Sequence, residues 1–351
     1  MVSAVNHATL TVSIKGVGKM ALEVLAIGDV VTDAFIKLFD DRAQTFENEQ
    51  GKWLAMPFGT KIPFKEAHVI QGVGNAANAA VSFARLGIHS GLVSNVGSDN
   101  FGREIIDALE KERVDTRFVR INKDKKTNYH YVLWYKEERT ILINHEEYNY
   151  QWPRFTHNDV PKWVYFSSIS KEALDKYHDM VVDWLNDNPE VKLAFQPGTF
   201  QLEAGVEKLH ALYARTELVV LNREEAVQVT GGNYDDLHDL MNRLHELGPK
   251  IVVVTDGPAA AYASDGQSRF KMPPYPDPKP PYERTGAGDA FASTFVAAII
   301  KGNTIEGALQ WAPINSMNVV QNVGAQAGLL TEEKLEEYLQ NAPEWYRPEK
   351  F

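Results

Sequence analysis

The chain is predicted to be an α/β protein: a three-layer α/β/α sandwich around a mostly parallel central sheet, with a small β-sheet lid at one edge. Three observations carry this. Leu218 to Leu221, Ile251 to Val254 and, less cleanly, Val191 to Phe195 are short Val, Ile and Leu runs without polar alternation, as strands covered on both faces require. Between such runs lie helical patterns, the clearest being Leu237, Leu240, Met241, Leu244 and Leu247, closed by Gly248-Pro249. Strand alternating with helix winds into a parallel sheet with helices on both faces. Third, residues 30–66 and 127–150 break the rhythm with β-rich segments such as Tyr129 to Tyr135 and Arg139 to Asn144, joined by the charged turn Lys136 to Glu138. Two insertions at one sheet edge can pair in space, so they are read as a small antiparallel lid.

Taken from the start, residues 1–20 lack a basic cluster ahead of an apolar core and a small-residue cleavage pattern, and are read as an extension that need not be native. The strand-like run Leu22 to Gly28 then opens a folded unit over residues 21–351. The longest apolar stretch, Phe291 to Ile300, falls far short of the roughly 18 residues of a membrane span. Lys and Arg number 36 against 47 Asp and Glu, a net charge of −11 that argues against a nucleic-acid partner. Cysteine is absent, which excludes disulfides, thiolate metal sites and a cysteine nucleophile and fits a cytoplasmic location. The Pro-rich stretch Pro273 to Pro281 reads as an ordered surface loop.

Four motifs could carry chemistry. Gly286-Ala287-Gly288-Asp289 opens the apolar run Ala290 to Ile300, so a glycine turn stands at a helix N-terminus, where unpaired N–H groups bind an anion such as a transferring phosphoryl group. Asp289 beside it is expected to be kept ionised by the positive helix end and to accept a proton from an attacking hydroxyl. As a bare N-terminal cap it would need no further role, although such a string arises by chance only roughly 0.01 times in a chain of this size. Gly72-Val73-Gly74-Asn75-Ala76-Ala77 fits the GxGxxA dinucleotide form, with Asp99 as a ribose ligand, but that pattern occurs in about one chain in seven. Alternatively Asn75 and Asn78 present amides to substrate hydroxyls.

Asn222-Arg223-Glu224-Glu225 follows the buried strand Leu218 to Leu221, at the strand end that faces the ligand crevice. Asn222 and Glu225 could hold the water shell of Mg²⁺, or form a helix cap with an acidic first turn; the residues alone favour neither. Asp33, shortly after the first strand, could accept hydrogen bonds from vicinal hydroxyls. His238 and His245 lie seven apart on a helix, where solvated histidines are expected rather than metal ligands. Tyr129, Tyr131, Trp134 and Tyr135 could stack on a nucleobase or pack the lid sheet.

In this order, Gly74 to Asn78, Asn222 to Glu225, Thr255-Asp256-Gly257, Gly286 to Asp289 and Gly324-Ala325 resemble the ribokinase-like (PfkB) sugar and nucleoside kinases from about Leu22 to Leu330. The resemblance implies transfer of the γ-phosphoryl of ATP to a hydroxymethyl group of a small sugar or ribonucleoside. Asp289 would be the base, and Gly286, Ala287 and Gly288 the anion hole. Asp33, Gly74, Asn75 and Asn78 would bind the acceptor. Asn222 and Glu225 would organise Mg²⁺ through water, and Thr255, Gly257, Asn315 and Asn318 would border the nucleotide. It also implies a lid that closes over the substrate and can join two subunits into a homodimer. Some relatives have a monovalent-cation (K⁺) site before the glycine turn; this chain has Glu283-Arg284-Thr285 where many members have Asp-Thr-x. Two other readings stand beside the kinase: an NAD-dependent oxidoreductase built on Gly72 to Ala77, and a non-catalytic sugar or nucleotide sensor.

Overall fold

The computed structural model describes residues 21–136, 138–156, 159–174 and 176–351; the expected extension at residues 1–20 lies outside them. The first half runs β1 (Val24–Ile27), β2 (Val31–Leu38), β3 (Gln44–Asn48), β4 (Gly51–Ala55), β5 (Phe64–Val73), α1 (Asn75–Arg85), β6 (Ser90–Gly97), α2 (Asn100–Lys111), β7 (Val119–Asn122), β8 (Tyr129–Tyr135), β9 (Glu138–Leu142) and β10 (Trp163–Phe166). There follow α3 (Tyr177–Asp187), β11 (Lys192–Phe195), α4 (Thr199–Ala204), α5 (Val206–Arg215), β12 (Leu218–Asn222), α6 (Arg223–Thr230), α7 (Leu237–Glu246) and β13 (Ile251–Asp256). The chain ends with β14 (Ala260–Ser264), β15 (Arg269–Met272), α8 (Ala287–Ile300), α9 (Ile305–Val319), α10 (Glu332–Gln340) and β16 (Glu349–Lys350).

The central sheet has the order β16-β15-β14-β13-β12-β11-β10-β1-β6-β7, parallel from β13 to β7 and antiparallel at the other edge. Its strands lack polar alternation because both faces are covered. Val24, Ala26, Tyr165, Val220 and Val253 pack toward α1, α8 and α9, whereas Leu25, Ile27, Phe166, Leu221 and Val254 pack toward α3, α5 and α7. This period-two division is the α/β/α sandwich. Helix α8 is apolar nearly all round because it is wedged between α1 and α9, and its residues 289–298 are all buried. No helix among the described residues is long and apolar enough to cross a membrane.

The lid is a second sheet of order β5-β2-β8-β9. It differs in detail from the antiparallel expectation: β2 pairs β5 antiparallel and β9 pairs β8 antiparallel, but β2 and β8 run parallel. The reason is topological. β1 and β7 belong to the same parallel sheet, so the chain leaves each at the same edge and both exits run in one direction. The first excursion also extends past residue 66, since β5 continues to Val73 and delivers the chain straight into Gly74. The aromatic residues of β8 serve sheet packing: Tyr129 packs at a tilt against Phe101 and Tyr131, Trp134 edge-on against Tyr282, and Tyr135 donates to the Ala43 carbonyl. His245 is not solvated as expected; it bridges the Pro249 carbonyl and Ser264 Oγ, tying α7 to the sheet.

Candidate active site

Gly286 caps α8 in the left-handed region at φ 81°. A Cβ there would lie 2.3 Å from that of Ala325, so conformation and packing both require glycine. At Gly288 a Cβ would meet nothing within 4 Å. Ala287 and Gly288 border a cavity of about 380 Å³, and the first N–H groups of α8 have no acceptor within the helix. The turn is thus a donor-rich, positive helix end beside a space of ligand size.

Asp289 lies one residue further, 9% exposed. Asn75 Nδ2 donates to its Oδ1 at 2.9 Å, and Asn78 Nδ2 donates to its Oδ2 at 2.8 Å. Gln196 Nε2 adds a longer bond to Oδ1 at 3.4 Å. Asn75 and Asn78 stand on the first turn of α1, which Gly74 can begin only because its φ is 116° and a Cβ would meet the Asp29 carbonyl at 2.6 Å. Gln326 braces this arrangement, donating to Asn78 Oδ1 and the Gly72 carbonyl. The charge balance differs from the sequence expectation. Burial raises the Asp289 pKa above the ordinary carboxylate value, while the Asn78, Gln196 and Asn75 amides and the Arg139 charge pull it down. A carboxylate raised yet held by amide donors is a group poised to take a proton.

The glycines of Gly72 to Ala77 do not make a dinucleotide site. They follow lid strand β5 rather than a strand of the parallel sheet, and Asp99 caps α2 through Gly102 N and binds the Thr127 backbone. Thr255 and Gly257 line the cavity. Asn315 and Asn318 do not. Asn315 is fully buried, donating to Thr294 Oγ1 and accepting from Leu330 N, and Asn318 donates to the Gly328 carbonyl. Their helical neighbours Ser316, Met317 and Val320 form the wall instead, because at 3.6 residues per turn a different face of α9 points inward. A further wall comes from the Pro-rich surface loop: Pro273, Pro274, Tyr275 and Pro276 border the cavity, as does Arg284.

Asn222 and Glu225 form a reciprocal capping box on α6, with Asn222 Oδ1 accepting from Glu225 N at 2.7 Å and Glu225 Oε2 accepting from Asn222 N at 2.8 Å. The cap and the metal readings are therefore compatible, because the cap engages Oε2 of the Glu225 carboxylate and not Oε1. Burial raises the Glu225 pKa, the Asn222 N–H opposes this, and the charges of Glu224 and Asp289 raise it further. Two carboxylates that repel one another fit a divalent cation held largely by water. Among the described residues no cluster of three or more His, Asp or Glu forms a closed metal cage.

Asp33 lies on β2 beside His130 of β8, whose Nδ1 is 3.3 Å from Asp33 Oδ1. The His130 ring stacks on His145 at 5.1 Å, and His145 meets Phe200 edge-on. Asp29 anchors this corner. It accepts from Tyr150 Oη at 2.7 Å and Ser170 N at 2.6 Å, and burial pushes its pKa up to about 6. Sequence reasoning missed His130, His145, Asp29, Gln196 and Gln326. Only His130 left a trace, as the polar residue on the Asp33 side of an alternating aromatic strand.

Comparison with known proteins shows the family. Residues 66–332 match the pfkB family carbohydrate kinases. The chain is 27% identical over 264 residues to the ATP-dependent 6-phosphofructokinase of Thermoanaerobacterium thermosaccharolyticum, covering 72% of this chain and 80% of that protein. It is 30% identical over 242 residues to the cytidine kinase of Thermococcus kodakarensis, covering 66% and 82%. In fold it is similar to Arabidopsis thaliana ribokinase complexed with ribose and ATP, with a TM-score of 0.73 at 20% identity over 92% of this chain and 99% of that one. Its β-lidded three-layer fold, its glycine turn with a clamped aspartate and its match over residues 66–332 together make this chain a member of the pfkB carbohydrate kinase family.

Proposed function

We propose that this ATP-dependent carbohydrate or nucleoside kinase transfers the γ-phosphoryl of ATP to a hydroxymethyl group of a small ribose- or fructose-like sugar or of a ribonucleoside. The observation that carries this is the clamp: Asn75 and Asn78, on the first turn of the helix that the lid strand leads into, grip both oxygens of Asp289 beside the anion-binding turn. Asp289 accepts the hydroxyl proton as the acceptor oxygen attacks phosphorus. The N–H groups of the Gly286–Gly288 turn hold the charge that accumulates on the transferring oxygens. The nucleotide base and ribose lie in the cavity between Pro273–Pro276, Thr255, Gly257 and Met317.

Glu225 and Asn222 would hold Mg²⁺ through water, where it would supply charge neutralisation to the phosphates. Asp33, with His130 Nδ1 3.3 Å from its Oδ1, receives acceptor hydroxyls with Gly74 closing the pocket floor. The lid's outer face, where Val69, Tyr131 and Leu142 remain half-exposed, pairs with a second copy to form a homodimer. A coupled ADP-release assay with Mg²⁺ and D-ribose, D-fructose, cytidine and adenosine tests the function. Turnover on one or more of them is expected, and equal inactivity on all four would overturn the substrate class.

A further inference from the structure

The lid touches the catalytic layer at a specific place. Tyr282 packs edge-on against Trp134 at 5.0 Å, and Lys37 Nζ lies 3.7 Å over Trp134 and donates to Tyr282 Oη at 3.2 Å. Tyr282 Oη in turn donates to Glu66 Oε1 at 3.3 Å. Three lid strands, β2, β5 and β8, therefore converge on one residue of the segment that leads into the anion-binding turn. The next residue, Glu283, is 2% exposed. Its Oε1 accepts from Thr285 N at 2.7 Å and from the Thr285 hydroxyl, and its Oε2 accepts from Gly324 N at 3.4 Å. Thr285 immediately precedes Gly286, so the Glu283 carboxylate holds the backbone from which the turn departs.

The other side of this segment faces the nucleotide cavity. Tyr282 N and Glu283 N both donate to the carbonyl of Val320, a cavity-wall residue, and Pro281 and Arg284 line the same cavity. One cation from the lid reaches this buried acid. Arg139, on β9, has its Nε 3.9 Å from Glu283 Oε1, and that buried Nε has no hydrogen-bond partner among the described residues. A normal bond of about 2.9 Å would form if the lid advanced by about 1 Å. A buried donor without an acceptor next to a buried carboxylate is an unfinished contact, which closure would complete.

We propose that Arg139 is a positioning residue: when the lid closes over the acceptor, its guanidinium engages Glu283 and so fixes the Glu283–Thr285 segment that sets the Gly286–Gly288 anion hole. Arg139 forms no hydrogen bond to a reacting atom in this scheme, although its charge also lowers the Asp289 pKa. It makes the anion hole complete only under a closed lid, which links acceptor binding to phosphoryl transfer and, through the Val320 contacts, to the nucleotide. The inference rests on the kinase reading.

The test uses the full chain with whichever of D-ribose, D-fructose, cytidine and adenosine gives the fastest wild-type ADP release. Arg139→Gln and Glu283→Gln are each expected to lower kcat about 10- to 100-fold, the range for a small misplacement of catalytic groups. In the double variant the loss should match the larger single loss rather than multiply. Binding of a non-hydrolysable ATP analogue without acceptor should stay within about twofold of wild type, since only the closed state uses the pin. Guanidinium chloride at millimolar concentration should restore part of the kcat of Arg139→Gly, which distinguishes a missing cation from misfolding. Multiplicative losses, a change confined to the acceptor KM, or no rescue would each overturn the pin while leaving the kinase reading intact. Absence of wild-type turnover on every acceptor would overturn both.

Discussion

Replacing Asp289 by Asn is the sharpest probe of the site. The carboxylate accepts amide protons on both oxygens, from Asn75 at 2.9 Å and from Asn78 at 2.8 Å. An asparagine has one acceptor oxygen, so its own NH₂ must face one of those donors and a clamp bond is lost together with the base. Loss of a general base lowers kcat by about 10²- to 10⁴-fold, or roughly 2.7 to 5.4 kcal/mol of barrier. Stability should change little, because the lost bond, worth about 1 kcal/mol, is offset by removing a buried charge. ADP release at saturating ATP and acceptor measures the first quantity, thermal melting the second, and calorimetry with an ATP analogue checks that the nucleotide cavity is unaffected. Turnover within a few-fold of wild type would remove Asp289 from its role and refute the reasoning.

Three further outcomes follow from the geometry. Gly286→Ala forces a Cβ to 2.3 Å from that of Ala325 at a left-handed φ, so kcat should fall by about 10²-fold or more, the scale for lost anion-hole donors; unchanged kinetics would mean the turn carries no charge. Asn78→Ala removes an amide that lowers the Asp289 pKa, so the base needs a higher pH to ionise. The acid limb of the kcat/KM pH profile should move upward, with activity lost more on that limb than on the plateau, and an unshifted limb would contradict the clamp. Asp29 is raised from 3.8 to about 6 when folded, so it binds more protons in the folded than in the unfolded state and its charge opposes folding. Stability is lost as pH rises from about 4 to about 6, by at most about 3 kcal/mol. Asp29→Asn keeps an acceptor for Ser170 N and should therefore gain stability over wild type at pH 7.5 but not at pH 4, as read by urea unfolding at both values.

The parallel sheet was legible because burial on both faces leaves its mark residue by residue: β12 and β13 are apolar at every position but their ends, and α7 has its period and its glycine stop within one short window. The lid was legible as β-rich sequence but not in its pairing. That depends on which edge of the sheet two distant insertions leave by, and local alternation is the same for parallel and antiparallel neighbours. Asn315 and Asn318 were misjudged because a helix carries donors on every face, and only packing against α8 and the Gly328 loop decides which face meets the cavity. The proline stretch is the surface loop it was read as, but its part in the cavity wall was not legible, since a rigid loop looks alike whether it borders solvent or a ligand space.

By itself, the order of residues determined what is built from near neighbours: the glycine turn ahead of α8, the capping box of Asn222 and Glu225, and the chemistry those groups can perform. Tertiary structure alone decided which groups act on one another. Asn75 and Asn78 reach Asp289 across 214 and 211 positions, and Arg139 meets Glu283 only because the lid folds back over the sheet. Backbone propensity and hydrophobic period act within a few residues, whereas the pKa of a buried acid and the aim of a donor are set by whatever the whole fold brings within a few ångströms.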